Sequence, residues 1–203
     1  MMGIYGMPPR QRFTPQDVIE AAFRVVRKQG WESFSARTIA AELNASTRPI
    51  YDYFTSMENI EAEVVNKALA YFVEFLSRER TDDVWLDQAL GYVLFASQEK
   101  HLFKCINDEK HTPLQKQFAR RHWIELGEKL SEDARFKDLT DETKQRIRAA
   151  RWILIHGLAS LVSNGWFETP LTSDSIFSDE MGFKLLEFLK KVNHGLYEEF
   201  KMG

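Results

Sequence analysis

Residues 35–54, SARTIAAELNASTRPIYDYF, read as two short helices joined by a tight turn. Ala36 to Leu43 puts Ile39, Ala40 and Leu43 on one face, and Ser35 stands where an N-cap hydroxyl accepts from an early backbone N–H. Asn44 ends this helix, because Asn tolerates the left-handed backbone that a sharp exit needs, and Ser46 or Thr47 supplies the next cap. A gap of about three residues between helices is helix-turn-helix spacing. The second helix, Thr47 to Phe54, buries Ile50 and Phe54 and leaves Thr47, Arg48, Asp52 and one side of Tyr51 and Tyr53 outward. Hydroxyls, one Arg and two Tyr on an outward face suit a DNA groove.

The flanks extend the same reading. Thr14-Pro15-Gln16-Asp17 is a helix start, with Thr as N-cap, Pro at the first helical position and an acid at the third. Its helix turns Val18, Ala21, Ala22, Val25 and Val26 inward and stops at Gly30. Ser56 caps a further helix with Glu58 in its first turn, where the positive end of the helix dipole favours an anion. Three helices and a long fourth make a compact module. The expected division is 1–56, with a flexible arm over about 1–12, and 57–203.

Residues 13–60, FTPQDVIEAAFRVVRKQGWESFSARTIAAELNASTRPIYDYFTSMENI, resemble the N-terminal DNA-binding domain of the TetR (tetracycline-repressor-like) transcriptional regulators. The resemblance rests on Trp31 after the terminal Gly, the S-x-R-x-I-A-x-E-L helix, the N-A-S turn, the I-Y-x-Y-F end of the recognition helix and Ser56. It implies an all-α fold: an N-terminal three-helix helix-turn-helix domain, then a C-terminal helical ligand-binding and dimerisation domain. It also implies base contacts from Thr47, Arg48, Pro49 and Asp52, and phosphate contacts from Thr14, Arg37, Tyr51 and Tyr53. Two positions depart from the family pattern. Pro49 replaces a small or hydroxylated residue, is tolerated in the first helical turn, and would read by apolar contact, as with a thymine methyl. Met57 replaces a Lys that in relatives sits near the DNA backbone. Asp52 either accepts from a cytosine N4 amino group or pairs with Arg48 four residues before it.

Composition bounds the rest. With 203 residues, 44% apolar and 13% aromatic, the chain can bury a proper core in one large or two small domains. No apolar run approaches the ~18 residues of a membrane span, and MMGIYGMPPRQRF lacks a signal-peptide layout, so a soluble cytoplasmic protein is expected. The single Cys105 reads as a small core residue. The net charge of −3 is unevenly spread: residues 10–54 hold seven Lys or Arg against five acids, a net of +2, and residues 55–203 carry −5. DNA responds to the local face. Arg10 and Arg12, beside Pro8 and Pro9, form an arm able to reach phosphates or a minor groove.

Beyond residue 60 the chain reads as helix throughout. Expected helices cover 57–80, 84–99, 114–130, 141–165 and 178–200, with 101–111 short and irregular and a loop through Thr169-Pro170. Phe72, Tyr92, Phe95, Phe103, Trp123, Trp152 and His156 are candidates to line an apolar chamber for a small-molecule effector. The helix ending RAARWILIHGLASLVSNG is apolar around most of its circumference and needs a partner on every side. Ile153, Gly157, Leu161, Leu185, Leu189 and Val192 are therefore candidates for a homodimer interface, which the resemblance places on the last two helices.

There is no Gly-rich phosphate loop, G-x-S-x-G, H-E-x-x-H or Cys pair, and the five His are scattered, so no catalytic residue, metal or cofactor is expected. The functional expectation is a ligand-responsive, sequence-specific DNA-binding regulator, a repressor released from a near-palindromic double-stranded operator by a small molecule. A helical scaffold or sensor, or a DNA-organising protein without sequence-specific control, is the alternative.

Overall fold

The computed structural model describes residues 13–166 and 180–201. The arm residues Arg10 and Arg12, the Thr169-Pro170 loop and the Trp123 side chain lie outside the described residues. Everything described is helix or connecting turn, in two compact units that divide between Val64 and Val65.

In the first unit α1 spans Pro15–Gln29 and opens on a full capping box. Thr14 Oγ1 accepts from Asp17 N at 3.2 Å, and Asp17 Oδ2 accepts from Thr14 N at 2.7 Å, so two orphan donors are satisfied reciprocally. Gly30, at φ 86°, supplies the exit that a side chain would resist. A 3-10 turn at Trp31–Ser33 follows, with Trp31 stacked on Phe34 at 4.4 Å between centroids. α2 is Ala36–Glu42, with a second capping box from Ser35 and Thr38. Asn44 sits at φ 52°, the left-handed exit expected of it. α3 is Arg48–Tyr53, and α4, Met57–Leu76, begins after it. Val18, Ala21, Ala22, Val25 and Val26 are fully buried, with Ile39, Ala40, Ile50 and Ile60. Phe54 is only half-buried, because it is the extended C-cap residue of α3 and not its last helical residue.

In the second unit α5, Val84–Gln98, is wrapped on nearly all sides by its neighbours. α6 is Lys100–Ile106, α7 Thr112–Ser131, α8 Asp141–Ser163 and α9 Glu180–Lys201; α5 packs on α6, α8 and α9. α5 also crosses the end of α4 at Gly91, where a Cβ would stand 2.8 Å from Phe75 O and 3.0 Å from Leu76 Cα. Only Gly fits that approach.

Two expectations about element ends are corrected. α4 stops at Leu76 and not Arg80, because the chain turns back to place groups against the exposed helix end. Arg80 Nη2 donates to Phe75 O at 2.8 Å, and Asp87 on α5 accepts from Arg80 N at 3.0 Å and from Thr81 Oγ1 at 2.7 Å. The stretch 101–111 is not irregular: α6 buries Leu102, Phe103, Cys105 and Ile106, and a 3-10 turn at Glu109–His111 brings His111 Nδ1 within 2.6 Å of Cys105 O. Cys105 is a core residue, 1% exposed. Among the described residues no helix is long and apolar enough to cross a membrane.

Candidate functional site

The surface of α2 and α3 presents Arg37, Thr47, Arg48, Tyr51, Asp52 and Tyr53 outward, with Pro49 half-buried in the first turn of α3. Of the two candidate caps, it is Ser46 Oγ that accepts from Arg48 N, at 3.4 Å, while the Thr47 side chain makes no cap bond. Thr47 is left with its hydroxyl toward solvent. Arg48 Nε lies 3.9 Å from Asp52 Oδ1, an exposed ion pair too long for a hydrogen bond. Such a pair contributes little and is easily opened by a competing base edge.

The structure divides the four expected phosphate residues into two kinds. Tyr53 donates its one hydroxyl proton to Phe13 O at 2.6 Å, and Thr14 donates its own to Asp17 Oδ2 at 2.7 Å. A phosphate oxygen needs a donor, and neither side chain has one left in this arrangement. In this structure both side chains tie down the start of α1. Arg37 and Tyr51, both exposed, have no hydrogen-bond or ion-pair partner among the described residues.

Sequence reasoning missed the tie between α1 and α2. Glu42 accepts from Arg24 Nε at 2.7 Å and from Lys28 Nζ at 3.3 Å, and the Arg24 bond first, then Lys28, holds its carboxyl below the usual Glu range. Arg24 and Lys28 recur one helical turn apart, which is the signal that one acid on a neighbouring helix bridges them. Two of the basic residues that make the module net positive thus act inside it.

In the second unit, Phe72, Tyr92, Phe95, Phe103, Trp152 and His156 form one connected aromatic cluster. Phe72 meets Tyr92 at 4.9 Å and Phe95 at 5.0 Å, Tyr92 meets Phe103 at 6.2 Å, and His156 lies 6.0 Å from Phe103 and 5.7 Å from Trp152, ring to ring. Phe95 (0% exposed) and Phe103 (4%) are buried, on the inner side of the cluster. Phe72, Tyr92 and His156 are half-buried, and Trp152 is exposed. Tyr92 Oη is 2.9 Å from His156 Nδ1. Burial pushes the phenol up to about 12 and the imidazole below its usual value, so both are neutral near pH 7. The phenol then donates to Nδ1, and His156 keeps an Nε2–H donor.

Unit two also carries an exposed apolar face. On α8 it comprises Trp152, Ile153, Leu154 and Leu161, and on α9 Phe183 and Phe188. Gly157 sits in the Ile153–Leu161 row, exposed, and a Cβ built on it meets nothing within 4 Å. Leu185 (9% exposed) and Leu189 (1%), two of the residues expected at an interface, are buried within this unit. Val192 is half-buried. Among the described residues no group of three or more His, Cys, Asp or Glu is placed to hold a metal.

Comparison with known proteins bears on the first unit most directly. Residues 18–64 match the family model of the bacterial regulatory proteins of the tetR family. The HTH-type nicotine-responsive transcriptional repressor HdnoR of Paenarthrobacter nicotinovorans is 36% identical over 63 residues, 31% of this chain and 32% of that protein. The match therefore spans about a third of the relative's length. The multidrug binding protein EbrR, solved with imidazole, shares the fold at a TM-score of 0.51 and 18% identity, over 88% of this chain and 96% of that one. Residues 18–64 are therefore a domain of the kind found in the bacterial regulatory proteins of the tetR family.

Proposed function

We propose that the protein is a homodimeric, sequence-specific DNA-binding regulator that represses transcription from a near-palindromic operator and is released by a small molecule. The observation that carries this reading is the outward set on α2 and α3, held rigid by two capping boxes and the Glu42 bridge. Thr47, Arg48, Pro49 and Asp52 read bases from the groove, with Arg37 and Tyr51 on phosphates. Two-fold symmetry through α8 and α9 presents a pair of α3 helices to half-sites about one helical turn apart or somewhat more.

The effector belongs beside Phe72, Tyr92, Trp152 and His156. A neutral phenol–imidazole pair among aromatic rings suits an uncharged aromatic molecule with one hydrogen-bond acceptor for His156 Nε2–H. α4 runs from the reading head to this cluster, so an effector that binds one tilt of α4 more tightly shifts the population of the two states. Only that difference in affinity can release DNA.

The test is selection of bound sequences from a random duplex pool by the purified protein near physiological salt. A recovered near-palindrome, bound ~10³-fold or more above random DNA, is the expected result. One observation favours a second reading, a scaffold or DNA-organising protein: Asp52 puts an exposed carboxylate on the outward face of α3. That reading predicts weak binding without a motif from a folded, dimeric protein.

A further inference from the structure

A cavity of about 180 Å³ opens in the second unit between the start of α5, the turn before α8 and one stripe of α9. The stripe is Lys190, Asn193, His194 and Tyr197, spaced as a single helical face. Opposite stand Trp85 and Leu86 of α5 and Phe136 of the turn, and no residue of the Phe72–His156 cluster takes part. Three of the walls are rings: Trp85 and Phe136 have centroids 5.1 Å apart, and Tyr197 is edge-on to Phe136 at 5.8 Å. Trp85 (2% exposed) and Phe136 (4%) form a core of their own with Ile147, so packing fixes two of the three ring walls. The middle of the α9 stripe has no apolar side chain to fill the space: Asn193 stands there, held to α8 by accepting from Arg151 Nε at 3.0 Å. The volume suits one ring, since a space of about 150 Å³ is enough for benzene.

The charges around this space are matched within the protein. Asp83 takes Arg135 Nη1 and Nη2 at 2.8 and 2.7 Å and caps Trp85 N and Leu86 N with Oδ1. Arg135 Nε also donates to Asp133 at 3.0 Å, and Lys190 Nζ donates to Glu187 Oε1 at 3.2 Å. A ligand of either sign would have to open one of these pairs or leave water without a counter-ion. An uncharged ring meets neither cost, because what it gives up to water is apolar surface. His194 and Tyr197 add groups that can donate or accept, so a hydroxyl on the ring can be met in either sense.

We propose that this cavity binds one small uncharged aromatic ring of the phenol type. The ring lies among Trp85, Phe136 and Tyr197, and its hydroxyl points to the side of His194 and Tyr197. The site is separate from the effector cluster and binds independently of it.

The experiment is a titration of the ¹⁵N-labelled full chain with phenol, cyclohexanol, benzoate and benzylamine, followed by amide and indole N–H shifts. Phenol is expected to shift the Trp85 indole and the amides of the α9 stripe saturably, with a Kd of about 1 mM or tighter. Cyclohexanol keeps the hydroxyl and lacks the ring face, so it should bind about fivefold more weakly, and benzoate and benzylamine each about tenfold more weakly or less. Tyr197→Ala removes a ring wall and should weaken phenol by about fivefold. Trp152→Ala, in the separate cluster, should leave the titration at Trp85 unchanged. No saturable shift at Trp85, or shifts confined to Trp152 and His156, would overturn the assignment. So would cyclohexanol, benzoate or benzylamine binding as tightly as phenol, unchanged affinity in folded Tyr197→Ala, or loss of the Trp85 titration in folded Trp152→Ala. The shift map and the ligand series use the wild-type chain, so they decide the matter even where a variant does not fold. None of these readouts uses DNA, so the result stands apart from the regulatory reading.

Discussion

If the protein is the homodimer of the proposed function, Gly157→Ala should raise the stability of the subunit and weaken the dimer, two effects of opposite sign from one methyl group. Gly157 lies in mid-α8, where Gly costs roughly 0.5–1 kcal/mol relative to Ala. Within the subunit the new Cβ meets no atom within 4 Å, so nothing offsets the gain in helix propensity. At an interface the situation reverses. Ile153, at 63% exposure, and Leu161, at 42%, flank Gly157 one turn to either side, and a neighbouring helix packed on that row approaches closest where the side chain is missing. Overpacking there costs typically 1–3 kcal/mol per site, and two-fold symmetry applies it twice, so the dimer should weaken by about 2–6 kcal/mol. Sedimentation equilibrium gives the dissociation constant, and urea unfolding over a range of protein concentrations separates subunit stability from association. A dimer constant unchanged or tightened, with the subunit stabilised, refutes the placement of Gly157 at the interface. A destabilised monomer refutes the account of its surroundings.

Further outcomes follow from other contacts. Arg48→Ala should relax specificity at one base position at a cost of about 1–3 kcal/mol, read as a changed motif in the selected sequences. Tyr53→Phe should lower thermal stability by about 1 kcal/mol through loss of the bond to Phe13 O, and weaken all DNA sequences alike; a sequence-dependent change would count against its holding role. Gly91→Ala should cost about 1–3 kcal/mol in urea unfolding, because the atoms it meets at 2.8 and 3.0 Å are backbone and cannot turn away. Glu42 has a depressed carboxyl, so its contribution is full above its unfolded value near 4.5 and is lost as pH falls through the folded value. Asp17, Asp83 and Asp133 are depressed too, so thermal melts from about pH 6 to 3 should show an acid-side loss in both proteins, smaller in Glu42→Gln than in the wild type.

The first unit was legible because its determinants are local. Thr14 with Asp17, Ser35 with Thr38, Gly30 and Asn44 are start and stop signals acting over three or four residues, and the inward residues of α1 follow the helical period. What escaped depends on partners distant in sequence. The end of α4 is set by Asp87, eleven residues beyond Leu76, and the proton of Tyr53 goes to Phe13, forty residues away. α6 is seven residues long, too short for its periodicity to stand out. In α9, Leu185, Leu189 and Phe188 are equally apolar in sequence, and periodicity cannot say which of two apolar faces meets the subunit's own core. The aromatic cluster was gathered from residue type and helical spacing alone, yet burial divides it, with Phe95 and Phe103 as core and Tyr92 and His156 as a polar pair at its edge.

The reading head separates residues that hold it from residues that read, more sharply than residue type implies. The hydroxyls of Thr14, Ser35, Thr38 and Tyr53 and the cations of Arg24 and Lys28 all have partners inside the module. A donor already satisfied gains little by moving to a phosphate, so changes at these positions act on stability. Arg37, Thr47, Arg48 and Tyr51 remain directed at solvent, and among them stands Asp52. Under the proposed function that carboxylate has a use. Its repulsion from phosphates applies to every DNA sequence, whereas a cytosine N4 amino group, or the release of Arg48 onto a guanine, offsets it only at the right base pair. A penalty common to all sites and relieved at one widens the ratio between operator and random DNA, even as it lowers affinity for both. The modest positive charge of the module is on this argument a source of discrimination, which is the opposite of what net charge alone would imply for a DNA-binding face.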